Sequence, residues 1–239
     1  RADTGIVLTA SHNPPHDNGY KVYAAHGGQV VPPLADQIVE AVRAVQLSDV
    51  GPALAHAAAT QDESWQTVSN ALDQKYAEAA ALAVLDAPLI AQQKPKIVYS
   101  ALHGTGGVVI PPLLRSLGAE VLEVAEQMKF DANFSTVNSP NPENREALNS
   151  ALVIGATQRA ELVLATDPDA DRIGAAFRKS AAELEGLTGN ELAVLLTEYR
   201  LRRAKELGWL PRAGSPRAVI LKTFVTTPLL DAIAQCHGV

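Results

Sequence analysis

Cysteine is almost missing from this chain: Cys236 is the only one among 239 residues. No disulfide can form within the chain, and that usage fits a reducing, cytoplasmic compartment. No uncharged apolar run reaches the ~18 to 20 residues that span a bilayer, and no leader peptide is recognisable, so no membrane partner is expected. Basic clusters are lacking too. Lys and Arg number 20 against 26 Asp and Glu, for a net charge of −6, and no Lys/Arg stripe is available to track a phosphate backbone. Nucleic acid is therefore not an expected partner. The chain also lacks an initiating methionine. It opens at Arg1 with a β-rich run almost at once, which reads as a cut within a longer protein.

What is present is enough apolar material for a real core: 47% of residues are hydrophobic and 19% charged. The run Gly5-Ile6-Val7-Leu8-Thr9 and the stretch Tyr20-Lys21-Val22-Tyr23 predict two strands. Leu34, Ile38, Val42 and Val45 recur at helical spacing behind Pro32-Pro33. Residues 48–64 read as a small-residue connector, and 68–85 as an alanine-rich helix. From Lys96 the rhythm becomes strand, helix, strand, with strands at 96–102, 119–125 and 161–166 and helices at 106–118 and 145–159. Pro111-Pro112 is discordant inside the first of those helices. A strand at 172–177, a long helix opened by Thr188 or Asn190 and stopped by Gly208, a strand at 216–223 and a closing helix complete the pattern. The fold class expected is α/β, with mixed, largely parallel sheets flanked by helices. The last strand and helix have no following sheet partners in this chain, which again predicts a piece of something longer.

The strongest chemical signal is Asp167-Pro168-Asp169-Ala170-Asp171-Arg172. It comes directly after the apolar strand "LVLAT", so it sits where open α/β sheets place their ligands. Three carboxylates at alternate positions repel one another unless a cation lies among them. Oxygen-only donors fit a hard ion such as Mg²⁺. An EF-hand loop is excluded by spacing, because Arg172 and Arg178 stand where that loop needs Gly and Glu. The bland alternative is a solvated acidic turn.

A second cluster lies in "TASHNPPHDNGYKVY", residues 9–23. Ser11 is set on a loop with His12 and Asn13, Pro14 and Pro15 stiffen that loop, and Lys21 opens the returning strand. A serine that carries phosphate needs donors and cations around three anionic oxygens. These residues suit that task better than a Ser-His-acid relay, which cannot be traced by spacing. A plain Asx-type turn is the competing reading. The glycine cluster "ALHGTGG", 101–107, is neither a dinucleotide fingerprint nor a P-loop. A tight strand-to-helix turn with His103 packing locally explains it at least as well as ligand contact does.

Taken together, "TASHNPPHDNGYKVY" and "DPDADR" resemble the phosphoserine and magnesium loops of the α-D-phosphohexomutases, in the phosphoglucomutase/phosphomannomutase branch. "ALHGTGG", "SPNPE" (139–143), "TGNELAVLL" (188–196) and "LKTFVTTPLL" (221–230) come in that family's order. The resemblance implies several similar α/β units around a cleft. Residues 1–86 would be the later part of the first domain, 87–180 the second with the metal loop, and 181–239 the start of a third. It implies transfer of phosphate between the 1- and 6-positions of a hexose, glucose 1-phosphate to glucose 6-phosphate foremost, through a hexose 1,6-bisphosphate. Ser11 would be the phosphoserine, and Asp167, Asp169 and Asp171 would hold Mg²⁺ together with an oxygen on Ser11. His12, Lys21 and Arg172 would serve the transferring group, and Lys222 the substrate. The implied partners are hexose 1-phosphates, hexose 6-phosphates and their bisphosphates. Phosphomannomutase or phosphopentomutase activity is the alternative within the family. A truncated, non-catalytic sugar-phosphate or metal-binding module is the alternative outside it. The family's sugar-recognition loop and distal phosphate loop are not found in these residues, so the piece alone is expected to turn over poorly.

Overall fold

The computed structural model describes residues 2–52, 66–211 and 218–239. The chain divides into two compact units, one formed by 1–10 and 16–72, the other by 11–15 and 73–239. In the first, strands β1 (Thr4–Leu8) and β2 (Tyr20–Ala24) pair antiparallel. Thr9 extends the ladder by donating its amide to the Gly19 carbonyl at 3.0 Å. Helix α1 (Leu34–Ala44) carries the anticipated apolar stripe, yet no residue of β1, β2 or α1 is buried.

The larger unit is built on five strands in the order β4-β3-β5-β6-β7. These are β3 (Lys96–Ser100), β4 (Glu120–Glu123), β5 (Leu162–Thr166), β6 (Ile173–Ser180) and β7 (Glu183–Leu187). Strands β4, β3 and β5 run parallel, and β6 and β7 return antiparallel. The α/β class with mixed sheets therefore holds. Helices α2 (Ala71–Ala81), α3 (Ala87–Gln93), α4 (Gly106–Ser116), α5 (Arg145–Gln158), α6 (Gly189–Glu206) and α7 (Leu229–His237) follow α1 in chain order. The core lies between sheet and helices. Val98, Val163 and Ala176 pack with Ala151 of α5 on one side. Tyr99, Ala101 and Val121 pack with Ile110 and Leu114 of α4 on the other. Helix α4 continues through Pro111 and Pro112, and Pro111 is fully buried. Burial of that ring offsets the missing rungs of the helix.

Four expectations need correction. The helix read at 68–85 is α2 alone, and a separate helix α3 comes after it, opened by Pro88 in its first turn, a position where the missing amide costs nothing. Residues 48–52 of the supposed connector, 48–64, are helical, while 53–64 fall outside the described residues. Strand β7 lies outside the expected pattern because "ELEGL" shows neither clean alternation nor an apolar run; pairing with β6 across a bulge at Arg178/Ser180 makes it a strand. Of the strand read at 216–223, the described part, 218–223, joins no ladder. A strand needs a neighbour for its backbone groups, and none of the described strands lies beside this one.

Helix α6 is opened by a capping box in which Thr188 Oγ1 accepts from the Glu191 amide and Glu191 reaches back to the Thr188 amide. It is tied to the segment before α3. Asp86 accepts from Tyr199 at 2.7 Å and from Arg203 at 2.6 Å. Helix α5 allows a direct test of where stability resides. Leu148 is buried against Leu102 and Ala165, while Val153 on the same helix is 66% exposed. Leu148→Ala should lower the unfolding free energy by about 2–5 kcal/mol and Val153→Ala by less than about 0.5 kcal/mol, read from urea denaturation.

Candidate metal and phosphoryl-transfer site

Strand β5 ends at Thr166, and the chain turns at once: the Ala170 amide donates to the Asp167 carbonyl at 2.9 Å. Ala170 itself takes a left-handed φ of 60°, a conformation that non-glycine residues hold at a cost of order 1 kcal/mol or more and that clusters at functional turns. The turn brings one carboxylate oxygen each from Asp167, Asp169 and Asp171 within 4.8 Å of one another. Asp167 is fully buried, Asp169 half-buried and Asp171 exposed, so the cluster grades from the protein interior to solvent. An all-oxygen, carboxylate-rich donor set open on one side fits a hard divalent cation that keeps positions for outside ligands.

Burial pushes the Asp167 carboxyl up from its ordinary range, and neighbouring Asp169 adds to this. Two donors work in the opposite direction. One is the Arg172 amide, which bonds Oδ1 at 2.9 Å. The other is the Ser11 hydroxyl, which bonds Oδ2 at 2.8 Å. Residues 11–15 belong to the same compact unit as the Asp turn, so this contact joins two motifs 156 positions apart within one body. Ser11 is half-buried and, like Ala170, left-handed, with φ 55°.

His12 Nδ1 lies 3.1 Å from Ser11 Oγ. With the hydroxyl proton directed to Asp167, the contact calls for the His12 tautomer that carries its hydrogen on Nδ1. The arrangement is thus opposite to a Ser-His relay, in which the ring would take the serine's proton. It matches what an anion on Ser11 needs, a donor pointed at its oxygen.

Arg172, Lys21 and Lys222 are each placed by their own segment. Arg172 contributes its backbone amide, while the residue itself is exposed. Lys21 stands on β2 of the other unit, opposite Val7. Lys222 is engaged on its own segment, with Thr226 O at 3.4 Å and Asp231 at 3.5 Å. His103 is a buried packing residue: its Nδ1 meets Lys129 O at 2.8 Å and its Nε2 meets Thr136 Oγ1 at 2.7 Å.

Two supporting residues are not evident from sequence. Thr166, the last residue before the turn, shares a buried hydrogen bond of 2.7 Å with Tyr99 of β3. Burial drives the Tyr99 hydroxyl up to about 12, so it stays protonated. The available signal was a hydroxyl at Tyr99 and at Thr166 in two strands that bury most of their residues, where a core tolerates such groups only when they find partners.

Comparison with known proteins places these loops in a common frame. The family model described as phosphoglucomutase/phosphomannomutase, α/β/α domain I, matches residues 1–49, and that for α/β/α domain II matches residues 74–180. A phosphoglucomutase of Staphylococcus epidermidis is 30% identical over the whole chain, and a phosphomannomutase of Mycoplasmoides pirum is 31% identical over 99% of it. The chain spans 42% and 41% of those relatives' lengths. A solved phosphoglucomutase/phosphomannomutase family protein from Burkholderia thailandensis superposes with a TM-score of 0.60 at 25% identity. That match takes in 85% of this chain and 39% of that one.

The Tyr99–Thr166 pair generates a test. Either Tyr99→Phe or Thr166→Val strands a buried hydroxyl and should cost about 1–3 kcal/mol. The double variant removes both hydroxyls and should cost clearly less than the sum, as a urea-unfolding double-mutant cycle would reveal.

Proposed function

This chain belongs to the phosphoglucomutase/phosphomannomutase family, and from that premise we propose that it carries the phosphoryl-transfer centre of a phosphosugar mutase. The activity is proposed for the protein that contains these segments in full, since the chain spans about 42% of its relatives' length. The single observation that supports it best is the Ser11 hydroxyl seated 2.8 Å from Asp167 at the edge of a three-carboxylate cluster. A phosphate on Ser11 would lie beside the cation that the cluster is suited to hold.

In this reading Asp167, Asp169 and Asp171 hold Mg²⁺, with an oxygen of phosphorylated Ser11 as a further ligand. The ion, when bound, offsets the phosphate charge and polarises the phosphorus. The residues do the remaining work. A sugar hydroxyl loses its proton and bonds to phosphorus; the electron pair of the Oγ–P bond returns to Ser11, which takes up a proton. His12 donates to the oxygen on Ser11, and Lys21 contacts the phosphoryl group and assists the proton transfer. Arg172 supports the same centre. Lys222 binds substrate from the third-domain segment 181–239, with 1–86 belonging to the first domain and 87–180 to the second. The return transfer from a hexose 1,6-bisphosphate leaves the isomerised hexose phosphate. Glucose phosphates are the foremost substrates, and relatives named for both glucose and mannose keep mannose phosphates beside them.

The test is intact-mass spectrometry of the protein incubated with glucose 1,6-bisphosphate and Mg²⁺. The expected result is a gain of one phosphoryl group, absent in Ser11→Ala, with no inorganic phosphate released. Phosphate release in its place would support a phosphatase. A protein that never gains the mass, or gains it equally in Ser11→Ala, would contradict the proposal.

A further inference from the structure

We propose that the turn at 103–105 is the positioning element that sets the Asp turn in place, with the absent side chain of Gly104 fixing the separation. The inference rests on the metal reading of Asp167, Asp169 and Asp171 given above. Strands β3 and β5 are adjacent and parallel, so the loops leaving their carboxyl ends must meet. They meet at Pro168, which lies between two of the three carboxylates. The Thr105 amide donates to the Pro168 carbonyl at 2.9 Å, and Thr105 Oγ1 donates to the same oxygen at 3.2 Å. A methyl group at Gly104 would drive into the Pro168 backbone, meeting its Cα, C and O. Pro168 has no amide with which to anchor itself, so its carbonyl and this close approach are its means of attachment here.

The turn that receives Pro168 is itself locked. His103 is left-handed, with φ 67°, and 5% exposed, and both ring nitrogens are bonded. Its amide donates to Gln127 O at 2.8 Å, and Gln127 in turn bonds Ser100 and Thr136 through its side chain. The loop that carries Thr136 is pinned by Asp131, whose carboxyl accepts from the Ser135 and Asn133 amides. Hydrogen bonds from Ser135, and then Asn133, hold that carboxyl down at about 2. A chain of filled hydrogen bonds thus runs from β3 to Pro168. It ends one residue from Asp167 on one side and Asp169 on the other. Groups that orient ligands in this way affect metal affinity without touching the ion.

The experiment is titration of the 239-residue protein with Mn²⁺, monitored by electron paramagnetic resonance of the free ion. Gly104→Ala should weaken Mn²⁺ binding by about 10- to 100-fold. Thr105→Val, which keeps the shape and removes the hydroxyl donor, should weaken it by about fivefold, and it decides the matter if Gly104→Ala fails to fold. Gly118→Ala is the control for stability alone. Gly118 has φ +100° and packs on Ala91, so that variant should unfold more easily yet bind Mn²⁺ as the parent does. If Gly104→Ala and Thr105→Val bind like the parent, the positioning role is overturned and the metal reading stands. If the parent shows no Mn²⁺ binding that Asp169→Ala removes, the metal reading fails and the positioning role with it.

Discussion

Everything distinctive in this chain converges on one hydrogen bond, from Ser11 to Asp167 at 2.8 Å across 156 positions of sequence. For it to exist, the loop after β1 must present a left-handed serine, and β5 must end in a buried carboxylate. Neither condition is favourable in isolation. A non-glycine residue at positive φ is held only where its surroundings over-determine it. A buried carboxylate is tolerated only when its oxygens are filled. Each oxygen of Asp167 receives a donor, one from Ser11 and one from the Arg172 amide. The contact is thus a structural solution for Asp167 and a chemical placement for Ser11 at once.

The surrounding fold reads as support for that edge of the sheet. Tyr99 and Thr166 fasten β3 to the last residue before the turn. Gly174, at the start of β6, sits so close to Pro142 that no side chain fits there. In this way "SPNPE" is pressed against the strand that leaves the Asp turn. Motifs scattered along the sequence, "ALHGTGG", "SPNPE" and "DPDADR", thus meet at the carboxyl ends of β3 and β5. Chain topology brings them there, because parallel neighbouring strands deliver their following loops to the same edge.

Much of this was legible in the residues because it depends on local patterns. The apolar strand "LVLAT" followed by alternating aspartates located the turn, and the stripe from Leu34 to Val42 located α1. Thr188 and Asn190 were the two candidate caps of α6, and Thr188 is the one that caps it, closing a box with Glu191. What was not legible depends on distant partners. Strand β7 exists because β6 pairs with it, and 218–223 is no strand because nothing described pairs with it. Helix α3 was hidden because Pro88 reads as a breaker unless its place in the first turn is known. The close approach of Gly104 to Pro168 was hidden for the same reason, since a glycine shows in sequence only that space is needed, never what fills it.

The central claim is that Ser11 and the three aspartates form one centre, with phosphate and cation in direct contact. Electron–nuclear double resonance on the Mn²⁺-loaded protein, phosphorylated at Ser11, tests it most directly. The account predicts a ³¹P hyperfine coupling of inner-sphere size that disappears on removal of the phosphoryl group. Mn²⁺ bound at the aspartates with no such coupling would contradict it.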